Sequence, residues 1–98
     1  EFIYVDDLAD ALIFLLREHQ SHEIINVGTM QEISIAELAQ QIAEVVGFSG
    51  KISLDTAKPD GAPRKCLDSS ALFGLGWQPK VSLRAGLERM YDWPNPAY

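Results

Sequence analysis

Apolar and polar positions change their period several times along the chain, and each change predicts an element. Residues 1–5, Glu-Phe-Ile-Tyr-Val, favour extended backbone and read as a strand. No methionine, turn or cap precedes them, so the chain is expected to be a piece of a longer protein. A helix is predicted from Asp6 to about His19, with Asp6 as N-cap, Asp7 at the positive helix end and Arg17 at the negative end. Leu8, Ala9, Ala11, Leu12, Ile13, Phe14, Leu15 and Leu16 go most of the way round its wheel. A helix apolar on all sides is buried on several of them, so this one predicts a partner outside the chain. Ile24 to Val27 reads as a short apolar strand ended by Gly28-Thr29.

The clearest helix runs from Ile33 to Gly47. Ser34 and Glu37 have capping-box spacing, and Ile33 and Leu38 stand at staple positions. Ile35, Leu38, Ala39, Ile42, Ala43 and Val46 make one apolar face, and Gly47 is placed to end the helix left-handed. Lys51 to Leu54 alternates as a strand, and residues 65–67 extend briefly. Asp68 is expected to cap a short helix from Ser69 to about Leu75, ended by Gly76. Ser82 caps the last helix, Leu83 to Trp93, with Leu87, Met90 and Tyr91 inward. Pro94 stops it, and the tail is too rich in proline to be helical.

One stretch has no apolar period: Asp55-Thr56-Ala57-Lys58-Pro59-Asp60-Gly61-Ala62-Pro63-Arg64-Lys65. Proline fixes φ, so this loop has few conformations to lose on binding. It carries a net charge of +1 on a chain whose total is −6. A local basic excess on an acidic protein suits an anionic ligand.

Composition narrows the classes. The chain has 98 residues, of which 47% are hydrophobic and 22% charged, as in a globular domain or part of one. The net −6 argues against general nucleic-acid binding. No apolar run approaches the ~20 residues of a membrane span. A single cysteine, Cys66, rules out an internal disulfide and favours a cytoplasmic setting. It reads better as a packed thiol than as a nucleophile. His19 and His22 lie in a polar turn without the spacing of a metal site.

In the loop, Lys58, Arg64 and Lys65 can neutralise phosphate or carboxylate, Arg64 bidentately. Asp60 repels phosphate but suits donors such as ribose hydroxyls or the N–H edge of guanine. The set therefore fits a nucleoside diphosphate better than bare phosphate; a solvated loop with internal ion pairs is the alternative. There is no G-x-G-x-x-G turn, no Tyr-x-x-x-Lys and no Ser/His/Asp arrangement with usable spacing. The residues read as a binding portion without a reaction centre.

Several segments together resemble the GDP-L-fucose synthase family of extended short-chain dehydrogenase/reductases. These are Glu1-Phe2-Ile3-Tyr4-Val5-Asp6-Asp7-Leu8-Ala9, Ile25-Asn26-Val27-Gly28-Thr29 and Ile33-Ser34-Ile35-Ala36-Glu37-Leu38-Ala39. With them go residues 58–65, Leu75-Gly76-Trp77 and residues 82–87. The Val-Asp-Asp-Leu-Ala, Asn-Val-Gly and Leu-Gly-Trp pieces are shared by many nucleotide-sugar epimerases and dehydratases. The Lys-Pro-Asp-Gly-x-Pro-Arg-Lys piece looks particular to the GDP-fucose group.

The resemblance implies an α/β fold: the C-terminal substrate-binding part of an extended short-chain dehydrogenase/reductase, with about four helices and short strands. Residues 1–30 would return to an N-terminal Rossmann domain, and residues 31–98 would form the substrate-binding region. That Rossmann domain is absent here; it would bind NADP and carry the Ser, Tyr, Lys, Cys and His of catalysis, which Cys66 does not match. The family reduces and epimerises GDP-4-keto-6-deoxy-D-mannose to GDP-L-fucose with NADPH and tends to form homodimers. The resemblance puts Asp60 on the GDP moiety and Lys65 near the pyrophosphate, with Arg64 and Lys58 nearby. Pro94 and Pro96 depart from the family, whose last helix usually continues. Two alternatives stand beside this reading: another NAD(P)-dependent nucleotide-sugar epimerase or dehydratase, and a non-enzymatic sugar-nucleotide binding module.

Overall fold

The computed structural model describes residues 1–93 as four helices: α1 (Val5–Glu18), α2 (Ile35–Val46), α3 (Ser70–Gly74) and α4 (Leu83–Asp92). The expected helix stop at Pro94 and the proline-rich tail lie outside the described residues.

The strands expected at residues 1–5, 24–27, 51–54 and 65–67 do not form among the described residues. A strand is held by a hydrogen-bonded neighbour, and here none of these segments supplies a ladder to another. Ile24, at 96% exposure, shows how little covers the second of them.

The helix ends follow local chemistry, with two corrections. α1 begins one residue before the expected cap. Tyr4 is the N-cap and makes no side-chain cap bond, while Asp6 and Asp7 lie in the first turn. Asp68 is not the N-cap of α3; Ser69 is. Asp68 nevertheless accepts the Ser70 N–H on Oδ1 at 3.0 Å. The Ser70 hydrogen bonds hold its carboxyl below the ordinary range. At α2 the capping box is complete: Ser34 Oγ accepts the Glu37 N–H at 3.1 Å, and Glu37 Oε2 accepts the Ser34 N–H at 3.0 Å. Gly47 closes α2 at φ 69°, in the left-handed region. Ser82 caps α4 by accepting the Ala85 N–H at 3.2 Å.

The core is small. Ala11 on α1, Leu72 on α3 and Trp77 are buried together, with Ile3, Phe14, Leu15, Ile25, Val27 and Phe73 packed around them. Asp7, almost fully buried, ties α1 to the segment before α4 by accepting the N–H groups of Lys80 at 3.0 Å and Val81 at 2.8 Å. α2 packs on α4, and Arg84 joins them by donating to Glu44 at 2.8 Å, while its bond to Glu88 at 2.7 Å stays within α4. Of the α4 residues expected inward, Leu87 is half-buried but Met90 and Tyr91 are exposed. The buried position is Gly86, where an added Cβ would stand 3.1 Å from Tyr4 Cδ2. Close approach of Tyr4 to the α4 backbone thus sets the inward face.

Much apolar surface stays open. Val5, Leu12 and Leu16 form a stripe along α1 opposite Asp7 and Ala11, with Ile13 beside it. The accessible surface is 7963 Å², against roughly 5600 Å² for a compact 10.9 kDa monomer. The all-round apolar pattern of α1 is therefore only partly satisfied within the chain. Among the described residues no helix is long and apolar enough to cross a membrane.

Candidate functional site

The loop at residues 55–65 is exposed along its whole length. It starts in a turn: Asp55 Oδ1 accepts the Ala57 N–H at 3.1 Å, and the Asp55 carbonyl accepts the Lys58 N–H at 3.3 Å. The Asp side chain mimics a turn of backbone, which is why such a residue opens a loop. Beyond it Pro59 and Pro63 limit φ without any ladder or helix.

The structure divides the four residues singled out from sequence. Arg64 is committed. Its Nε donates to Glu32 Oε1 at 2.5 Å and its Nη2 to Glu32 Oε2 at 2.6 Å, the parallel fork of a bidentate pair. The Arg64 hydrogen bond holds the Glu32 carboxyl below its ordinary range, and Glu32 pushes the guanidinium up. Lys58, Asp60 and Lys65 are exposed, and their side chains make no hydrogen bond or ion pair among the described residues. Two cations and one carboxylate thus face solvent on a loop tethered by the third cation.

Glu32 escaped the sequence reading. It lies 32 residues before Arg64, in a polar stretch with no period, and no local signal pairs the two. It also lines a groove of about 940 Å³ between α2 and α4, whose walls include Tyr4, Leu38, Gln41 and Met90.

Next to the loop, Cys66 is half-buried. Burial, then the carboxylates of Glu1 and Glu32, push its thiol up, the opposite of an activated nucleophile. Glu1 binds across three segments: its carboxylate accepts the N–H groups of Met30 at 2.6 Å and Leu67 at 3.3 Å. Gly28 leaves the room for this, since a Cβ there would lie 2.5 Å from Glu1 Oε1.

No protein-family model matches the chain. It is 58% identical over 93 residues to GDP-L-fucose synthase 1 of Arabidopsis thaliana, covering 95% of this chain and 29% of that protein. It is 45% identical to GDP-L-fucose synthase of Escherichia coli, covering 95% of this chain and 32% of that one. A solved structure of a GDP-6-OMe-4-keto-L-xylo-heptose reductase from C. jejuni superposes with a TM-score of 0.86 at 35% identity, over 95% of this chain and 30% of that one. The chain thus spans about 30% of the length of the relatives it matches. Over nearly all of its residues it is homologous to the C-terminal part of the GDP-L-fucose synthases, within the extended short-chain dehydrogenase/reductases.

Proposed function

We propose that the chain is the GDP-sugar-binding part of an NADPH-dependent enzyme that makes GDP-L-fucose from GDP-4-keto-6-deoxy-D-mannose. The observation that carries this is the 58% identity to a GDP-L-fucose synthase along 93 residues. The exposed loop supports it with chemistry. Asp60 accepts hydrogen bonds from the guanine N–H edge or a ribose hydroxyl. Lys65 places a positive charge at the pyrophosphate, and Lys58 adds a second. Arg64 keeps its Nη1 group for an anion while Nε and Nη2 hold Glu32.

NADPH supplies hydride when bound, and it belongs to a Rossmann domain outside this chain. The described residues offer no strand, glycine turn and helix to cradle a dinucleotide. The proton-transfer groups likewise belong to that domain, so this chain by itself is inactive. Residues 1–30 return to the Rossmann domain, and the Val5–Leu12–Leu16 stripe packs there. Residues 31–98 form the substrate-binding region of a cytoplasmic homodimer.

Calorimetric titration of GDP, UDP and NADPH into the 98-residue chain and into the full-length protein tests this. The full-length protein should bind GDP and NADPH and prefer GDP to UDP, and the short chain should not bind NADPH. Equal affinity for UDP and GDP would move the chain to the wider nucleotide-sugar epimerase group. Binding of neither nucleoside diphosphate by the full-length protein would remove the reading.

A further inference from the structure

We infer that Glu32 is a positioning residue for the nucleotide-binding loop: through its bidentate pair with Arg64 it holds residues 58–65 in the conformation that receives the diphosphate. The inference rests on the proposed GDP-sugar reading and names a residue that reading does not include. Three observations carry it. The pair joins positions 32 residues apart, so it fixes the loop to the segment that leads into α2. That segment is itself anchored, because Ser34, two residues on, sits in the capping box with Glu37. Among the described residues, Arg64 is the one charged side chain of residues 58–65 with an ion-pair partner. Without the pair, the loop between Asp55 and Cys66 keeps its opening turn at one end and, at the other, the bond from the Glu1 amino group to the Lys65 carbonyl, with nothing among the described residues holding residues 59–64.

Glu32 also gives the test a sign. A carboxylate cannot bind a phosphate, and removing it frees the Arg64 guanidinium and takes away one negative charge. Electrostatics alone therefore predicts that Glu32→Gln binds the diphosphate more tightly. A positioning role predicts the reverse, because the loop must then be ordered at the cost of binding energy.

The experiment is steady-state kinetics of the full-length enzyme and its Glu32→Gln, Arg64→Glu and Glu32→Arg/Arg64→Glu variants, with backbone amide order parameters of residues 60–62 from NMR relaxation in the absence of ligand. Glu32→Gln should raise KM for the GDP-sugar about two- to fivefold. It should leave KM for NADPH and kcat unchanged and lower the backbone order parameters of Asp60, Gly61 and Ala62. The charge-swapped double variant should restore the loop order lost in Arg64→Glu and recover only part of the GDP-sugar KM, because the Arg64 Nη1 group is lost in both. An unchanged or lowered KM in Glu32→Gln, or unchanged order parameters, would overturn the inference while leaving the GDP-sugar reading intact. Failure of the unmodified protein to bind GDP would end both.

Discussion

Trp77 donates its indole N–H to Asp10 Oδ2 at 3.0 Å, joining positions 67 residues apart. The same oxygen accepts from Lys80 Nζ at 2.9 Å. One turn earlier on α1, Asp7 takes the two backbone N–H groups of Lys80 and Val81. Two carboxylates on one face of α1 therefore hold the segment that carries the loop's neighbour α3 into α4. Asp7→Ala would leave two amides at a nearly buried site without an acceptor. The expected loss of stability is about 2–4 kcal/mol. Asp7→Asn keeps one acceptor oxygen and should cost less. Urea unfolding checks the order, and equal stability of Asp7→Ala and the unmodified protein would refute it.

Asp10 makes the clamp sensitive to acid. Its hydrogen bond from Lys80, and then the one from Trp77, hold its carboxyl below the ordinary value of 3.8. A carboxyl whose folded-state pKa is depressed stabilises the fold above its unfolded value, and this stability is lost as pH falls through the lower, folded value. Stability from Asp10 should thus be complete at neutral pH and fade only below the usual aspartate range. Lys80→Met should move the Asp10 titration upward in a carboxyl NMR titration, and Trp77→Phe by less. Unmoved titration in both variants would show that neither bond shapes it.

Both α2 caps were legible in the sequence because capping is local. Ser34, Glu37 and Gly47 read the same in the chain and in the structure. The positions of α1 and α4 were legible for the same reason, to within a residue at most ends. What could not be read was non-local. The strands at 24–27 and 51–54 have strand-like side chains, yet a strand exists only where another backbone pairs with it. The inward face of α4 was misjudged because apolar spacing pointed to Met90 and Tyr91, whereas the close contact is made by a residue without a side chain, Gly86, beneath Tyr4. In the loop, charge and proline content single out Lys58, Asp60, Arg64 and Lys65 as candidates. They do not single out the partner of Arg64, since nothing in the spacing of Glu32 announces a contact so far along the chain.

The caps of α2 allow a clean pair of stability measurements. Ser34→Ala removes an acceptor for the Glu37 N–H and should cost about 1 kcal/mol. Gly47→Ala meets no atom within 4 Å. Its cost is backbone alone, about 1–2 kcal/mol for an L-residue held at φ 69°. Thermal unfolding of each should show the two losses adding in the double variant, because the sites lie at opposite ends of the helix. A strongly non-additive result would mean that α2 frays as a unit.

Asp60 and Lys65 should separate by what they lose. Asp60→Ala removes an acceptor that can read a base or ribose. It should raise KM for the GDP-sugar while leaving that for NADPH, and it should narrow the preference for GDP over UDP if the contact is to guanine. On the proposed reading, Lys65→Ala removes a charge placed at the diphosphate and away from the base. It should weaken GDP and UDP alike, about tenfold for a charge-assisted bond. Because an exposed ammonium acts through a screened field, the Lys65 loss should shrink as salt rises, and the Asp60 loss should not. Competition binding of GDP and UDP at two ionic strengths measures all four quantities. If both substitutions weaken the two nucleotides equally and with the same salt dependence, Asp60 acts only through loop order, and the base is read elsewhere in the full-length protein.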